Sequence, residues 1–264
     1  MMLINGVAST TVSATDRGLA FGDGIFRTMA FQDGEARLWR WQYPRLRADA
    51  AALGLEVPDA ALLQRELALA GAHILRGVAK ITLTRGSGPR GYALSAGCSP
   101  TRIVSVEPWE GYPPGLARDG IELTLCQLRL APQPRLAGVK HLNRLENVLA
   151  RSEWQDPAIR EGLLLDSEGA VVECTMSNLF WLRAGEWQTP LLDRCGVAGA
   201  MRAWMMDQVP VRQVRAPLES LLAADEVFVC NSLAGIWPVA RLGARHWRGF
   251  PRATMLSELL ARER

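Results

Sequence analysis

Hydrophobic and polar positions alternate along this chain with two distinct periods. FRTMAFQDGEARLW, residues 26–39, sets two β-compatible runs around Gln32–Asp33–Gly34–Glu35 and predicts a hairpin. A helix is predicted around Pro44 to Leu53. A second runs from Ala60 to about Ile74, where Leu62, Leu63, Leu67 and Leu69 recur near helical spacing. KITLTRG and TRIVSVE read as strands bracketing a glycine-rich loop, GSGPRGYALSAG, at residues 86–97. EPWEGYPPG, residues 107–115, gathers prolines and glycines and is the expected interdomain linker. Beyond it, IELTLCQLRL alternates as a strand with Ile121, Leu123 and Leu125 on one face. Leu142, Leu145, Val148 and Leu149 predict one apolar helix face. GLLLDSEGAVVE turns at Asp166–Gly169, and a further tight turn falls at Ala184–Gly185–Glu186. A helix (Met201 to Val209), a short helix (Leu218 to Ala223) and the strand EVFVC complete the pattern. Strands with intervening helices, in two unequal runs, give an α+β fold with domains at residues 1–110 and 111–264.

Bulk composition excludes more than it assigns. The 264 residues are 48% hydrophobic and 22% charged, as expected of a globular protein with a buried core. A net charge of +3 is too small to imply nucleic acid or a membrane surface, and no apolar run approaches the ~20 residues of a membrane span. MMLINGVAST has no basic n-region or long apolar stretch, so no signal peptide is expected. Five scattered cysteines without CxxC pairs argue for reduced thiols and a cytoplasmic protein. With three histidines, no metal centre is expected.

The cations are more informative. Of 30 lysines and arginines only Lys80 and Lys140 are lysines, the latter in GVKHLNRLENVLAR. Arginine stays protonated, whereas a desolvated lysine can lose its proton and attack a carbonyl. Two lysines surviving an arginine-rich codon bias is the plain alternative. If Lys140 is a Schiff-base lysine, pyridoxal phosphate is its commonest partner, and that group needs a cation and N–H donors for phosphate and a carboxylate for its pyridine nitrogen. Glu173 in AVVECTMSN is a candidate carboxylate, or else a solvated strand end. Arg45 in YPRLRADAA is a candidate phosphate cation, or else a solvated helix arginine. Gly196 and Gly199 open a helix whose N-terminal amides suit a phosphate, and Ser232 in CNSLAG adds a hydroxyl.

The order of these segments resembles the fold-type IV pyridoxal-phosphate enzymes, the group of D-amino-acid and branched-chain aminotransferases, and within them the aminodeoxychorismate lyases. LINGV, DRGLAFGDGIF, TRGSGPRGY, AGVKHLNRLENVLAR, LLLDSEGAVVECTMSNLFW, GVAGAMR and ADEVFVCNSLAGIWPV carry the likeness nearly end to end. The resemblance implies a smaller N-terminal α/β domain, a larger β-rich C-terminal domain, the cofactor in the cleft between them, and a homodimer. It implies Lys140 as Schiff-base lysine, Glu173 at the pyridine nitrogen and Arg45 at the phosphate. The amides of Ala200 and Met201, with Ser232, would close the phosphate cup, and Asn178 would line the cofactor. Arg90 and Tyr92 would read a substrate carboxylate, reaching across a dimer interface, and Thr28 would be a pocket hydroxyl. Tyr92 stands where the D-amino-acid aminotransferases carry histidine, and Gln42 where a histidine often precedes the phosphate arginine. The implied reaction converts 4-amino-4-deoxychorismate to 4-aminobenzoate and pyruvate, with an aminotransferase on D-amino or branched-chain acids as the alternative. A non-catalytic binding protein is disfavoured by the presence of both Lys140 and Glu173, and Trp39, Trp41, Trp181 and Trp187 are expected in the core or an interface.

Overall fold

The computed structural model describes residues 1–94 and 98–263; residues 95–97, the last part of the predicted glycine-rich loop, lie outside the described residues. Two compact units divide the chain. The first comprises Met1–Gly111 with Val139–Asn143, and the second comprises Tyr112–Gly138 with the chain from Arg144 onward.

In the first unit the elements are β1 (Met2–Ile4), β2 (Val7–Ala8), α1 (Arg17–Phe21), β3 (Gly24–Gln32), β4 (Glu35–Ala36), α2 (Trp39–Leu53), α3 (Ala60–Ala70), β5 (Arg76–Thr84) and β6 (Thr101–Pro108). The strands form one antiparallel sheet in the order β2-β1-β6-β5-β3-β4. The predicted hairpin is present: Asp33 and Gly34 both take positive φ (53° and 87°), the backbone of a two-residue turn whose twist matches its strands. Ile25, Met29 and Phe31 of β3 join Leu46 and Ala50 of α2, Leu63 and Leu67 of α3, and Ile81 and Leu83 of β5 in one core.

Three boundaries differ from the sequence reading. Helix α2 starts at Trp39, not near Pro44, and holds that proline inside it. The Trp39 ring stacks on Tyr43 one turn later (centroids 5.6 Å apart) and Trp41 is buried, so packing extends the helix N-terminal to the proline. Helix α3 stops at Ala70 because the chain must then pass close to Phe31: a Cβ at Gly71 would sit 2.4 Å from that ring. Strand β5 begins at Arg76, four residues early, because it pairs along the whole of β3, from Gly24↔Thr84 to Gln32↔Arg76.

The second unit holds α4 (Gly115–Asp119), β7 (Ile121–Leu130), α5 (Leu145–Arg151), β8 (Ile159–Asp166), β9 (Val171–Cys174), β10 (Asn178–Arg183), β11 (Glu186–Pro190), α6 (Ala200–Gln208), β12 (Val211–Val214), α7 (Leu218–Leu222), β13 (Glu226–Asn231), β14 (Gly235–Leu242), β15 (Arg245–His246) and α8 (Pro251–Ala261). Its mixed sheet runs β12-β11-β10-β13-β14-β7-β8-β9, with β15 added to β14. Leu163, Leu179, Trp181, Val229, Trp237 and Val239 are at the centre of one core; Cys126, Trp154, Leu164 and Val172 belong to another. The alternation read for β7 holds for Ile121 and Leu123 but fails at Leu125, which is 37% exposed while Cys126 is buried. A register break against β8 between Leu125 and Arg129 inverts the face. Helix α5 begins at Leu145, so Leu142 lies outside it, and the predicted apolar face is turned outward: Leu145, Val148 and Leu149 are 73%, 60% and 57% exposed. Trp41, Trp181 and Trp187 are buried, as expected. Among the described residues no helix is long and apolar enough to cross a membrane.

Gly162 of β8 lies under the Trp154 ring. A Cβ there would meet Cys126 Sγ at 2.4 Å and the Trp154 ring at 2.7 Å. Gly162→Ala is expected to cost about 1–3 kcal/mol by overpacking, read as a lower urea midpoint at unchanged slope.

Candidate active site

In the first unit, residues 140–142 pair with the start of β3. The Phe26 N–H donates to the Lys140 carbonyl at 3.1 Å, the Leu142 N–H to the Gly24 carbonyl at 2.9 Å, and Ile25 bridges His141. The Lys140 peptide N–H donates to the Asp49 carboxylate, so both backbone polar groups of Lys140 are engaged. Its ammonium lies over the Phe26 ring, 4.6 Å from the centroid. The chain's other lysine, Lys80, reaches the same ring at 5.3 Å. Thr28 pairs directly with Lys80 across β3 and β5, and Phe26, Thr28 and Ala30 are half-buried on the face opposite Ile25, Arg27, Met29 and Phe31.

Asp49 is ion-paired to Arg27 in the core, with side-chain exposures of 4% and 3%. Burial pushes the Asp49 carboxyl up, against the pull of Arg27, the Lys140 amide and Arg45, which lies one helical turn earlier on α2. Arg45, half-buried, therefore shares a helix face with the residue that holds Lys140.

In the second unit, Glu173 of β9 is 4% exposed and accepts the Val197 N–H at 2.7 Å. Gly196, at φ +84°, makes that approach possible: a Cβ would fall 2.8 Å from Val172, 2.9 Å from Leu192 and 3.4 Å from Glu173 Oε2. Asn178 of β10 donates to the Val197 carbonyl (2.7 Å) and accepts from the Gly199 N–H (3.0 Å). The segment 197–199 is thus clipped between a carboxylate and an amide. Helix α6 opens immediately after it with Ala200 and Met201, and its cap, Gly199, contributes no side chain. Such a first turn presents backbone N–H groups and the positive dipole end. Asn178 also pairs with Cys230 across β10 and β13, at the end where Ser232 stands in the following turn.

Beneath this turn lies a carboxylate that sequence reading missed. Glu161 of β8 is fully buried and accepts from Thr175 Oγ1 (2.5 Å), Ser177 Oγ (2.5 Å) and the Met176 N–H (3.1 Å). It thereby holds the three residues between Cys174 and Asn178. Asn231 Nδ2 donates to Ser177 Oγ at 3.0 Å and extends the network to the β13 turn.

In the first unit Lys140 is linked to α2, the helix of Arg45, through Asp49, and Thr28 pairs with Lys80; in the second, Glu173 and Asn178 hold the segment that leads into Ala200 and Met201, and Ser232 follows β13. Arg90 and Tyr92 stand apart from the first set. Arg90 is exposed and its guanidinium has no hydrogen-bond partner among the described residues; Tyr92 is 85% exposed, its ring 5.3 Å from Phe21. Their loop is tied down by Arg17, which donates to the Gly91 (2.9 Å) and Tyr92 (3.3 Å) carbonyls. Sequence reading also missed Lys80, Arg27 and Asp49. Lys80 had a signal, as the only other lysine. Arg27 had one too, as a charge in phase with Ile25, Met29 and Phe31.

The two sheets and these residue sets define a mixed α/β protein of the fold-type IV architecture. Residues 24–242 match the amino-transferase class IV family, and the chain belongs to that family. A solved 4-amino-4-deoxychorismate lyase from Pseudomonas aeruginosa is 43% identical, with a TM-score of 0.94 over 98% of each chain. An aminodeoxychorismate lyase of Vibrio harveyi is 34% identical over 92% of each chain. A putative branched-chain-amino-acid aminotransferase of Methanocaldococcus jannaschii is 30% identical over 89% of this chain and 83% of its own.

Burial raises the pKa of Glu161 above the ordinary glutamate range, with the Ser177 and Thr175 hydroxyls pulling it down. The folded state then binds this proton more tightly than the unfolded chain. Its contribution to stability is complete below the ordinary range and is withdrawn as pH rises through the folded value. Glu161→Gln has no such proton to lose. Urea midpoints taken from about pH 4 to 8 should show the variant gaining on wild type as pH rises; parallel curves would place the titration elsewhere.

Proposed function

We propose that this protein is a pyridoxal-phosphate-dependent lyase that converts 4-amino-4-deoxychorismate into 4-aminobenzoate and pyruvate. The observation that carries this reading is the full-length likeness to aminodeoxychorismate lyases, at 43% and 34% identity.

The residues suit the cofactor. Glu173 is a buried carboxylate fixed by one N–H and matched to a protonated pyridine nitrogen. Gly196 and Gly199 let the backbone ahead of α6 approach Glu173 and Asn178 closely, since a Cβ would meet Leu192 at 2.9 Å at the first and Asn178 Oδ1 at 2.4 Å at the second. The amides of Ala200 and Met201 and the Ser232 hydroxyl are phosphate donors, and Arg45 is the phosphate cation. Asn178 keeps the 197–199 segment in place for them. Lys140 is the covalent attachment point.

Pyridoxal phosphate, when bound, supplies an electron sink conjugated to the carbon that bears the substrate amine. Lys140 Nζ takes the proton from C4 of the substrate ring as general base. As the bond from ring carbon to the enolpyruvyl oxygen breaks, Lys140 returns the proton to the methylene carbon of the departing group, which leaves as pyruvate. Glu173 keeps the pyridine nitrogen protonated throughout. The amine departs with the aromatic product, so no keto-acid acceptor is consumed.

The substrate carries two carboxylates. Lys80 holds one of them: its ammonium lies over Phe26 as that of Lys140 does, and Thr28, its partner across β3 and β5, is the pocket hydroxyl. Arg90 and Tyr92 serve the other from a partner copy, in a cytoplasmic homodimer. Their exposure supports this, as does the outward apolar face of α5.

The deciding assay supplies aminodeoxychorismate to purified, cofactor-loaded protein without any keto acid. Equimolar 4-aminobenzoate and pyruvate are expected. Turnover that appears only with a keto acid and a D-amino or branched-chain amino acid would make the protein an aminotransferase instead. Lys80→Ala should raise KM about 10- to 100-fold with little change in kcat, the worth of one charge-assisted contact to a bound carboxylate; an unchanged KM removes Lys80 from the pocket.

A further inference from the structure

Arg27 is placed where a strand of this kind carries an apolar side chain. It projects with Ile25, Met29 and Phe31 toward the core of the first unit, and its ion pair with Asp49 is shut off from solvent. Its Nε is buried without a hydrogen-bond partner among the described residues. Taking both charges out of water costs as much as their attraction returns, and an apolar pair of similar volume is commonly neutral or better. Stability therefore does not account for the pair.

What the pair touches does. Asp49 receives the peptide N–H of Lys140, and the adjoining carbonyl of Lys140 receives the Phe26 N–H from the same strand that carries Arg27. The peptide groups on either side of the Lys140 Cα are thus held, one by α2 and one by β3, which fixes where the side chain leaves the backbone. Arg45 lies one turn earlier on the same face of α2, and its positive charge acts on both Asp49 and Arg27. Without the carboxylate, Arg27 and Arg45 would repel each other and the Lys140 amide would lose its acceptor.

We propose that the Arg27–Asp49 pair is a positioning device that fixes the Lys140 backbone against the helix face that carries Arg45, so that amine and phosphate cation meet the same ligand. The inference rests on the reading of Lys140 and Arg45 as cofactor residues.

The test replaces the pair with apolar residues, Arg27→Met with Asp49→Leu, alongside Asp49→Asn, which keeps the shape and one acceptor oxygen and is read alone where the double variant does not fold. Thermal melting of the apoprotein measures fold, titration with pyridoxal phosphate measures affinity, and hydrogen exchange reports protection of the Lys140 amide. The double variant is expected to melt at or above the wild-type temperature, to bind the cofactor about tenfold more weakly or worse, and to lose protection at Lys140. Asp49→Asn should keep partial protection and lose affinity. Affinity and amide protection equal to wild type in a folded variant would overturn the proposal. Wild-type protein that fails to bind pyridoxal phosphate would instead overturn the cofactor reading beneath it.

Discussion

The antiparallel pairing of residues 140–142 with the first three residues of β3 is the constraint on which the candidate site depends. Two backbone hydrogen bonds, at 3.1 and 2.9 Å, draw a segment more than a hundred residues downstream onto the edge of the first sheet. That pairing explains why residues 139–143 belong to a unit otherwise complete at residue 111. Val139 joins the apolar core there, so the pairing is backed by burial as well as by hydrogen bonds. Lys140 consequently sits on regular backbone, with its side chain directed over a half-buried aromatic ring. A residue on a long free loop would lose far more conformational entropy in being held for chemistry.

The second unit solves a related problem by adding side chains to a shorter backbone pairing. Here a backbone bridge sets the register of residues 196–198: the Gly138 N–H donates to the Gly196 carbonyl and the Gly138 carbonyl accepts the Ala198 N–H, both at 2.9 Å. A carboxylate and an amide side chain, Glu173 and Asn178, grip the segment from neighbouring strands. The turn joining those two strands is itself held by the buried Glu161. Polar groups buried this deeply are tolerated because each is hydrogen-bonded. The small residues serve the same end: at Gly196 the positive φ and the crowding by Val172 and Leu192 both exclude a side chain.

Much of this was legible in the sequence where the signal is local. The Asp33–Gly34 turn, the glycines ahead of α6, and Glu173 at a strand end followed from turn chemistry, helix-start rules and alternation. The resemblance to fold-type IV enzymes, which the family match bears out, supplied the order of the site residues. Long-range effects were not legible. Pro44 suggested a helix start because propensity does not see the Trp39–Tyr43 stack. Leu125 was put on the wrong face because a register break is set by β8, not by β7. The apolar face of α5 is legible in the spacing of Leu145, Val148 and Leu149, but spacing alone cannot tell an inward stripe from an outward one. Asp49 carried no signal at all: its role depends on an amide ninety-one positions away.

Every side-chain amine in the sequence is accounted for by Lys80 and Lys140, and both lie beside the ring of Phe26. The other permanent side-chain cations are guanidinium groups, which acylating and reductive-alkylating reagents leave alone. Apart from the α-amine of Met1, amine-directed labels and lysine acetylation would therefore report on the surroundings of one aromatic ring rather than decorate the surface. The same arginine usage makes the pair of amines a built-in, addressable handle on the surroundings of Phe26.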